Sequence, residues 1–307
     1  MIRPSRVLAS AVKSAVAGSL KKKKVGTLQV HGPDQNGIVA ACTQLLNRHV
    51  CGIVNSEQWT DQINNYFFQR IEFQYPNDIS QDEKDDCKLE LDNVCSTLQL
   101  ESKLNWRDRK QSVGIMVSKY DHCLWELLLR HSAHELDMDI ACVISNHEDL
   151  RHVVHDTFHI PYHVVPITQD NKQEQEAKQL ELLRNVDVVV LARYMQVLSE
   201  NFLNCFPNRI INIHHSFLPA FMGGKPYHRA WERGVKLIGA TAHYTTLDLD
   251  DGPIIEQDVI HVSHRDEIRD LMRKGRILER NVLLKALEAH LDDRVIVYKN
   301  RCVVFGD

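Results

Sequence analysis

The sequence predicts two fold classes in series, α+β and then α/β, and three observations carry that expectation. Residues 25–107 run in the order strand, helix, strand, strand, helix, strand. From residue 111 onward strands and helices alternate, the rhythm of a mostly parallel sheet covered by helices. At 307 residues, with 43% hydrophobic and 25% charged residues, the chain has the length and composition for two globular cores.

Taken in order, residues 1–24 form a basic leader, and residues 25–31 read as a strand. Residues 34–50 read as a helix with Ile38, Cys42, Leu45 and Leu46 on one face and Asp34 as its cap. Strands at 52–60 and 66–73 flank the polar turn Asp61-Gln62-Ile63-Asn64-Asn65. A second helix over 82–98 aligns Cys87, Leu91, Val94 and Leu98, and a strand at 102–107 completes a ferredoxin-like pattern. In the second domain, 111–307, strands at 113–118, 140–145, 163–166, 186–192 and 209–213 predict a Rossmann-like sheet. Further strands at 238–245 and 254–259 have the character of antiparallel additions. A helix over 266–291 and a terminal pair, 295–298 and 302–305, close the chain.

Charge and cysteine usage narrow the function classes. The leader holds Arg3, Arg6, Lys13 and Lys21 to Lys24 and no acid. Taking those seven from 37 basic residues leaves 30 against 41 acidic, a net of −11. An acidic body disfavours nucleic acid as partner, because phosphate binding needs clustered cations. No run approaches the roughly 20 apolar residues that span a bilayer, so no membrane partner is expected. The leader also carries Val7, Leu8, Ala11, Val12, Ala15 and Val16 at helical spacing, the composition of a mitochondrial transit peptide. Read as a plain basic tail, it leaves the chain cytoplasmic. Eight cysteines lie without close pairs, which predicts free thiols rather than a zinc site or disulfide framework.

The chemistry concentrates in two segments. In "RIINIHHSFLPAF" (209–221) an apolar strand ends in Asn212-Ile213-His214-His215. Ligands of open α/β sheets bind beyond the carboxyl ends of strands, and alternation puts Asn212 and His214 on one side. An amide donor beside a titratable imidazole suits an oxyanion and proton delivery, although a buried, mutually satisfied Asn–His pair fits the spacing equally well. In "GATAHYTTLDLDDGPIIEQ" (239–257) a strand carrying His243 runs into Asp248, Asp250 and Asp251. One of these acids aimed at His214 would favour the imidazolium; the others read as solvated. His131-x-x-His134-Glu135 matches no zinc signature and sits at an expected helix end. No metal is expected.

Together, "NIHHSFLP", "GATAHY" and "LDDGPII" resemble the folate-dependent formyltransferase superfamily. "LARYMQVLS", "PYHRAWERGVKLIGATAHY" and "NVLLKALEAHL" are similar to its deformylase branch. The resemblance implies hydrolysis of 10-formyltetrahydrofolate to formate and tetrahydrofolate, with Asn212, His214 and Asp250 catalytic and the folate as substrate rather than cofactor. It implies a pterin pocket at Arg193, Tyr194, Met195, Val197 and Leu198, closed by the 245–250 loop with Thr246. A formyltransferase to an amine acceptor is the alternative. Glycinamide ribonucleotide transformylases carry a glycine-rich phosphate loop after their first strand. Here "SKYDHCLWELLLR" (118–130) has no glycine and places Asp121 at the helix start. "VHGPDQNGIVA" (30–40) resembles the opening of an ACT domain, which implies regulatory contacts at Asp34, Gly37 and Ile38, an amino-acid effector such as methionine or glycine, and a homo-oligomer. Spacing alone favours a plain helix entry with a packing glycine there.

Overall fold

Apolar alternation on paired strands organises the first unit. The computed structural model describes residues 24–220 and 226–306, so all but the last residue of the basic leader lies outside it. Here β1 (Lys24–Pro33), α1 (Ile38–Arg48), β2 (Gly52–Asp61), β3 (Tyr66–Tyr75), α2 (Gln81–Leu98) and β4 (Glu101–Asn105) follow one another. The strands form an antiparallel sheet ordered β2-β3-β1-β4. Leu28 and Val30 of β1 and Phe67, Ile71 and Phe73 of β3 share one core with the apolar faces of α1 and α2. A capping box between Ser80 and Glu83 starts α2.

Two boundaries differ from expectation. Asp34 does not cap α1; the helix begins at Ile38, and its N-cap is Gly37 at φ 97°. Glycine takes that left-handed backbone without the clash a Cβ brings. Asp34 belongs to the preceding turn, where its N–H donates to the Asn65 carbonyl at 3.0 Å. The last strand stops at Asn105, whose side chain accepts the Arg107 N–H at 2.9 Å and turns the backbone out of the ladder.

The chain divides into compact units after Asp108. In the second, β5 (Gln111–Val117), α3 (His122–Ser132), β6 (Met138–Ser145), β7 (Tyr162–Val164), α4 (Lys172–Leu182), β8 (Val188–Leu191), α5 (Glu200–Cys205) and β9 (Ile210–His214) come first. Then follow α6 (Pro226–Arg233), β10 (Leu237–Tyr244), β11 (Ile254–His261), α7 (Ile268–Leu291), β12 (Val295–Tyr298) and β13 (Arg301–Val304). The seven-stranded sheet is ordered β11-β10-β9-β8-β5-β6-β7. It is parallel from β9 to β7, and β10 and β11 add antiparallel. This is the expected Rossmann-like α/β fold.

The uninterrupted apolar β8 is explained by burial on both faces: Val188 and Val190 join one core, Val189 and Leu191 the other. Helix α7 buries Leu278, Val282, Leu283, Ala286 and Leu287 in the first of these cores. Residues 152–157, between β6 and β7, form a π-helical turn around buried Val154. All eight cysteines are unpaired.

Candidate active site

The strand order reverses between β5 and β8, and the carboxyl ends of β5, β8 and β9 deliver Ser118, Arg193 and His214 to one edge of the sheet. A cavity of about 280 Å³ opens there. Asn212, His214 and Asp250 line it together with Arg193, Tyr194, Met195, Val197, Leu198 and Thr246. Met195 and Val197 on one rim and Leu247 and Leu249 on the other are all more than half exposed. Such apolar rims suit a flat aromatic ligand.

The antiparallel pairing of β9 with β10 sets the first contact of the site, because its register places His243 opposite Asn212. Asn212 Nδ2 lies 3.2 Å from His243 Nε2, and His243 Nδ1 lies 2.9 Å from the Tyr244 carbonyl. A carbonyl only accepts, so Nδ1 carries the proton; in the neutral ring Nε2 then accepts from the amide. Burial lowers the His243 pKa, which agrees with the neutral ring. The imidazole thus fixes the amide of Asn212 with its N–H groups on the cavity side of the strand.

His214 is buried, and its Nδ1 lies 3.0 Å from Asp250 Oδ1. Its Nε2 is buried without a protein partner, as is Thr245 Oγ1 on the cavity lining. The hydrogen bond from His214 holds the Asp250 carboxyl below its ordinary range, against the opposing effect of burial. His215 stands edge-on to His214, and burial, with the charges of Arg193 and His214, drives its pKa down to about 3.

A folded-back loop brings Asp250 to His214. Tyr244 N–H donates to the Pro253 carbonyl at 2.9 Å, closing residues 245–252 into a tight excursion. A Cβ on Gly252 would fall 1.7 Å from the Tyr244 carbonyl oxygen, so only glycine permits this closure. Asp250 sits at φ 58°, a left-handed conformation that Asp and Asn tolerate better than other side chains. Asp251 is exposed and lines no part of the cavity.

The other wall hangs from Ser118, just past β5. The Ser118 N–H donates to the Arg193 carbonyl at 3.3 Å, and Ser118 Oγ accepts the Met195 N–H at 3.1 Å. Tyr194 is anchored by the Gln179 amide, which donates to its hydroxyl at 2.8 Å. Asp121 starts α3 as expected; its carboxylate accepts the Trp125 indole N–H instead of a backbone cap bond. Of the residues expected to be regulatory, Ile38 is buried in the first core, Gly37 faces open space and Asp34 lies in the turn before α1.

One cluster was not legible in the sequence. Glu279 of α7 meets His122, Arg193 and Tyr227, and one of its oxygens lies with a His122 ring nitrogen and the Cys123 sulfur within 4.8 Å of one another. Positions 122 and 279 are too far apart in the chain for any spacing rule to join them.

The family model described as "Formyl transferase" matches residues 111–287. A formyltetrahydrofolate deformylase of a Synechocystis species is 49% identical over 283 residues, 91% of this chain and 98% of that protein. The Bacillus subtilis formyltetrahydrofolate deformylase is 48% identical over 92% of this chain and 94% of its own. The crystal structure of a formyltetrahydrofolate deformylase from Pseudomonas syringae pv. tomato superimposes with a TM-score of 0.88 at 41% identity, over 98% of this chain and all of the other. With sequence, fold and relatives in agreement along nearly its whole length, the chain belongs to the formyltetrahydrofolate deformylase family.

Proposed function

We propose that this chain hydrolyses the formyl amide of 10-formyltetrahydrofolate, giving formate and tetrahydrofolate. The observation that carries the mechanism is the His214–Asp250 contact with its unpartnered Nε2 beside Asn212. With Nδ1 of His214 engaged by Asp250, His214 Nε2 and Asn212 Nδ2–H are the two groups placed to hydrogen-bond the formyl oxygen. Water oriented by the carboxylate adds to the formyl carbon, and its proton passes to Asp250 as the oxygen takes up negative charge. Collapse of the tetrahedral species breaks the C–N bond as the folate nitrogen takes back the proton held by Asp250, and the formic acid released ionises to formate. One preorganised oxyanion donor contributes about 3 kcal/mol. The side chains supply this chemistry themselves, with the folate as substrate.

A transfer to an amine acceptor is disfavoured by the glycine-free segment after β5, which offers no cradle of backbone N–H groups for a sugar phosphate. The experiment is formate release from 10-formyltetrahydrofolate in the absence of any amine. Release at a rate undiminished by omitting amines is expected, and strict dependence on an added amine would favour the transferase.

The wider setting belongs to the same reading. The first unit acts as an ACT-type sensor of an amino acid such as methionine or glycine, and its pairing makes a homo-oligomer; the element order of residues 24–105 and the "VHGPDQNGIVA" segment support this. The released formate feeds purine synthesis and balances the one-carbon folate pools. A mitochondrial address for residues 1–24 rests on their acid-free, amphipathic composition alone. The relatives named above are bacterial and lend it no support; a reporter carrying these residues that stays cytosolic would leave the cytoplasmic alternative.

A further inference from the structure

Glu279 is only 1% exposed, yet no step of the proposed hydrolysis uses it. An ionised carboxylate is not kept in such a place without compensation. Its oxygens are fully engaged. Tyr227 Oη donates to Oε1 at 2.6 Å, His122 Nε2 lies 2.8 Å from Oε2, and Arg193 Nε pairs with the same Oε2 at 3.3 Å by charge, without hydrogen-bond geometry. Burial would raise its pKa, but the His122 hydrogen bond and the Arg193 charge outweigh that and hold it ionised. The approach of Tyr227 depends on Gly275, one turn before Glu279 on α7, since a Cβ there would lie 1.9 Å from the hydroxyl.

Arg193 is the link to the site. The residue is 7% exposed, its guanidinium lies over the Tyr120 ring at 5.3 Å, and its backbone stands at φ 64°. This residue turns the chain from β8 into the 193–198 wall of the cavity. Ser118 holds the backbone of that turn, and Glu279 holds its side chain. The same network reaches the catalytic strand, because Tyr227 packs edge-on against His215, the neighbour of His214.

We propose that Glu279 is a positioning residue for folate binding, which fixes Arg193, and with it the 193–198 wall, without touching substrate. The inference rests on the reading of the cavity as the folate site. His122, Cys123 and Glu279 also have the donors of a metal site. Here the carboxylate is already neutralised by Arg193, and burial drives the Cys123 thiol toward its neutral form.

The test is the amine-free formate assay on the full chain, reading KM and kcat separately, with Tm measured in parallel. Glu279→Gln keeps the shape and removes the charge. KM for 10-formyltetrahydrofolate is expected to rise about tenfold, a difference of about 1.4 kcal/mol, while kcat stays within about threefold. Tyr227→Phe, which alters no residue lining the cavity, should raise KM about two- to threefold. Unchanged KM in folded Glu279→Gln protein would overturn the proposal. Should that variant fail to fold because Arg193 is left buried without a counter-charge, Tyr227→Phe carries the test, since it removes one hydrogen bond to Glu279 and leaves both ions and the cavity lining intact. A parental Tm with a raised KM is then expected, and a parental Tm with a parental KM overturns the positioning role. Stoichiometric metal in the purified protein, whose chelation alone raises KM, would overturn it equally. A parent chain that releases no formate without an amine would instead remove the activity on which the inference rests.

Discussion

At the scale of single residues, the division between Asp250 and Asp251 is a matter of backbone direction. The two are neighbours with the same side chain, yet one faces His214 at 3.0 Å and the other is exposed. Asp250→Asn is the informative substitution, because Asn tolerates φ 58° as Asp does, and the loop therefore keeps its shape while the charge is lost. We expect kcat to fall by at least about 10²-fold with folate still bound, since the lost charge acts on the transition state. Asp251→Asn should change kcat by no more than about threefold. Steady-state kinetics on the pair decide it, and equal, small effects would remove Asp250 from the mechanism.

At the scale of elements, the 245–252 loop and the β9–β10 ladder act together. The ladder sets His243 against Asn212, and the loop returns Asp250 to the same strand end. Gly252 is the hinge of that return. Gly252→Ala places a methyl inside the contact distance of the Tyr244 carbonyl and must push the loop away. Because catalysis depends on geometry held to about an ångström, such a shift should lower kcat/KM by about 10²-fold. The far-UV circular dichroism of the variant should match the parent, since the sheet itself is untouched; parental activity would show that the loop does not set the position of Asp250. Gly37 is a contrasting case. A Cβ there meets nothing within 4 Å, so Gly37→Val acts through the positive φ alone and not by crowding a neighbour.

At the scale of the whole molecule, the buried imidazoles make stability pH-dependent. Burial, with the nearby charges of Arg193 and His214, holds His215 neutral down to about 3, whereas an ordinary imidazole titrates near 6.5. Between those values the unfolded chain binds more protons than the folded one, so stability falls as pH falls. His243 is displaced in the same direction by burial. Asp250 and Glu279, held ionised by their partners, add to the loss at lower pH, where those carboxylates finally protonate. The urea midpoint should therefore drop from pH 7 to pH 5. His215→Gln should flatten that decline by up to about 2 kcal/mol. An equally steep decline in the variant would show that His215 is protonated in the folded chain.

Much of this organisation was legible in the linear chain. Periodicity of two and of 3.6 located the strands and helices, because each side chain reports the burial of its own face. The candidate site was legible because "NIHHSFLP" and "LDDGPII" are contiguous motifs whose residue types carry chemistry. The start of α1 lies four residues beyond the Asp34 that pattern points to, because a polar residue before an apolar run reads as a cap and the positive φ of Gly37 leaves no mark in such a pattern. Asp250 was singled out only by the family resemblance, not by pattern, whereas that His243 orients Asn212 and that Glu279 closes on His122 and Arg193 were decided by tertiary structure alone. The reason is physical. Local pattern records which face of an element is buried, whereas these contacts depend on strand register, on loop closure and on which distant element supplies the opposing charge.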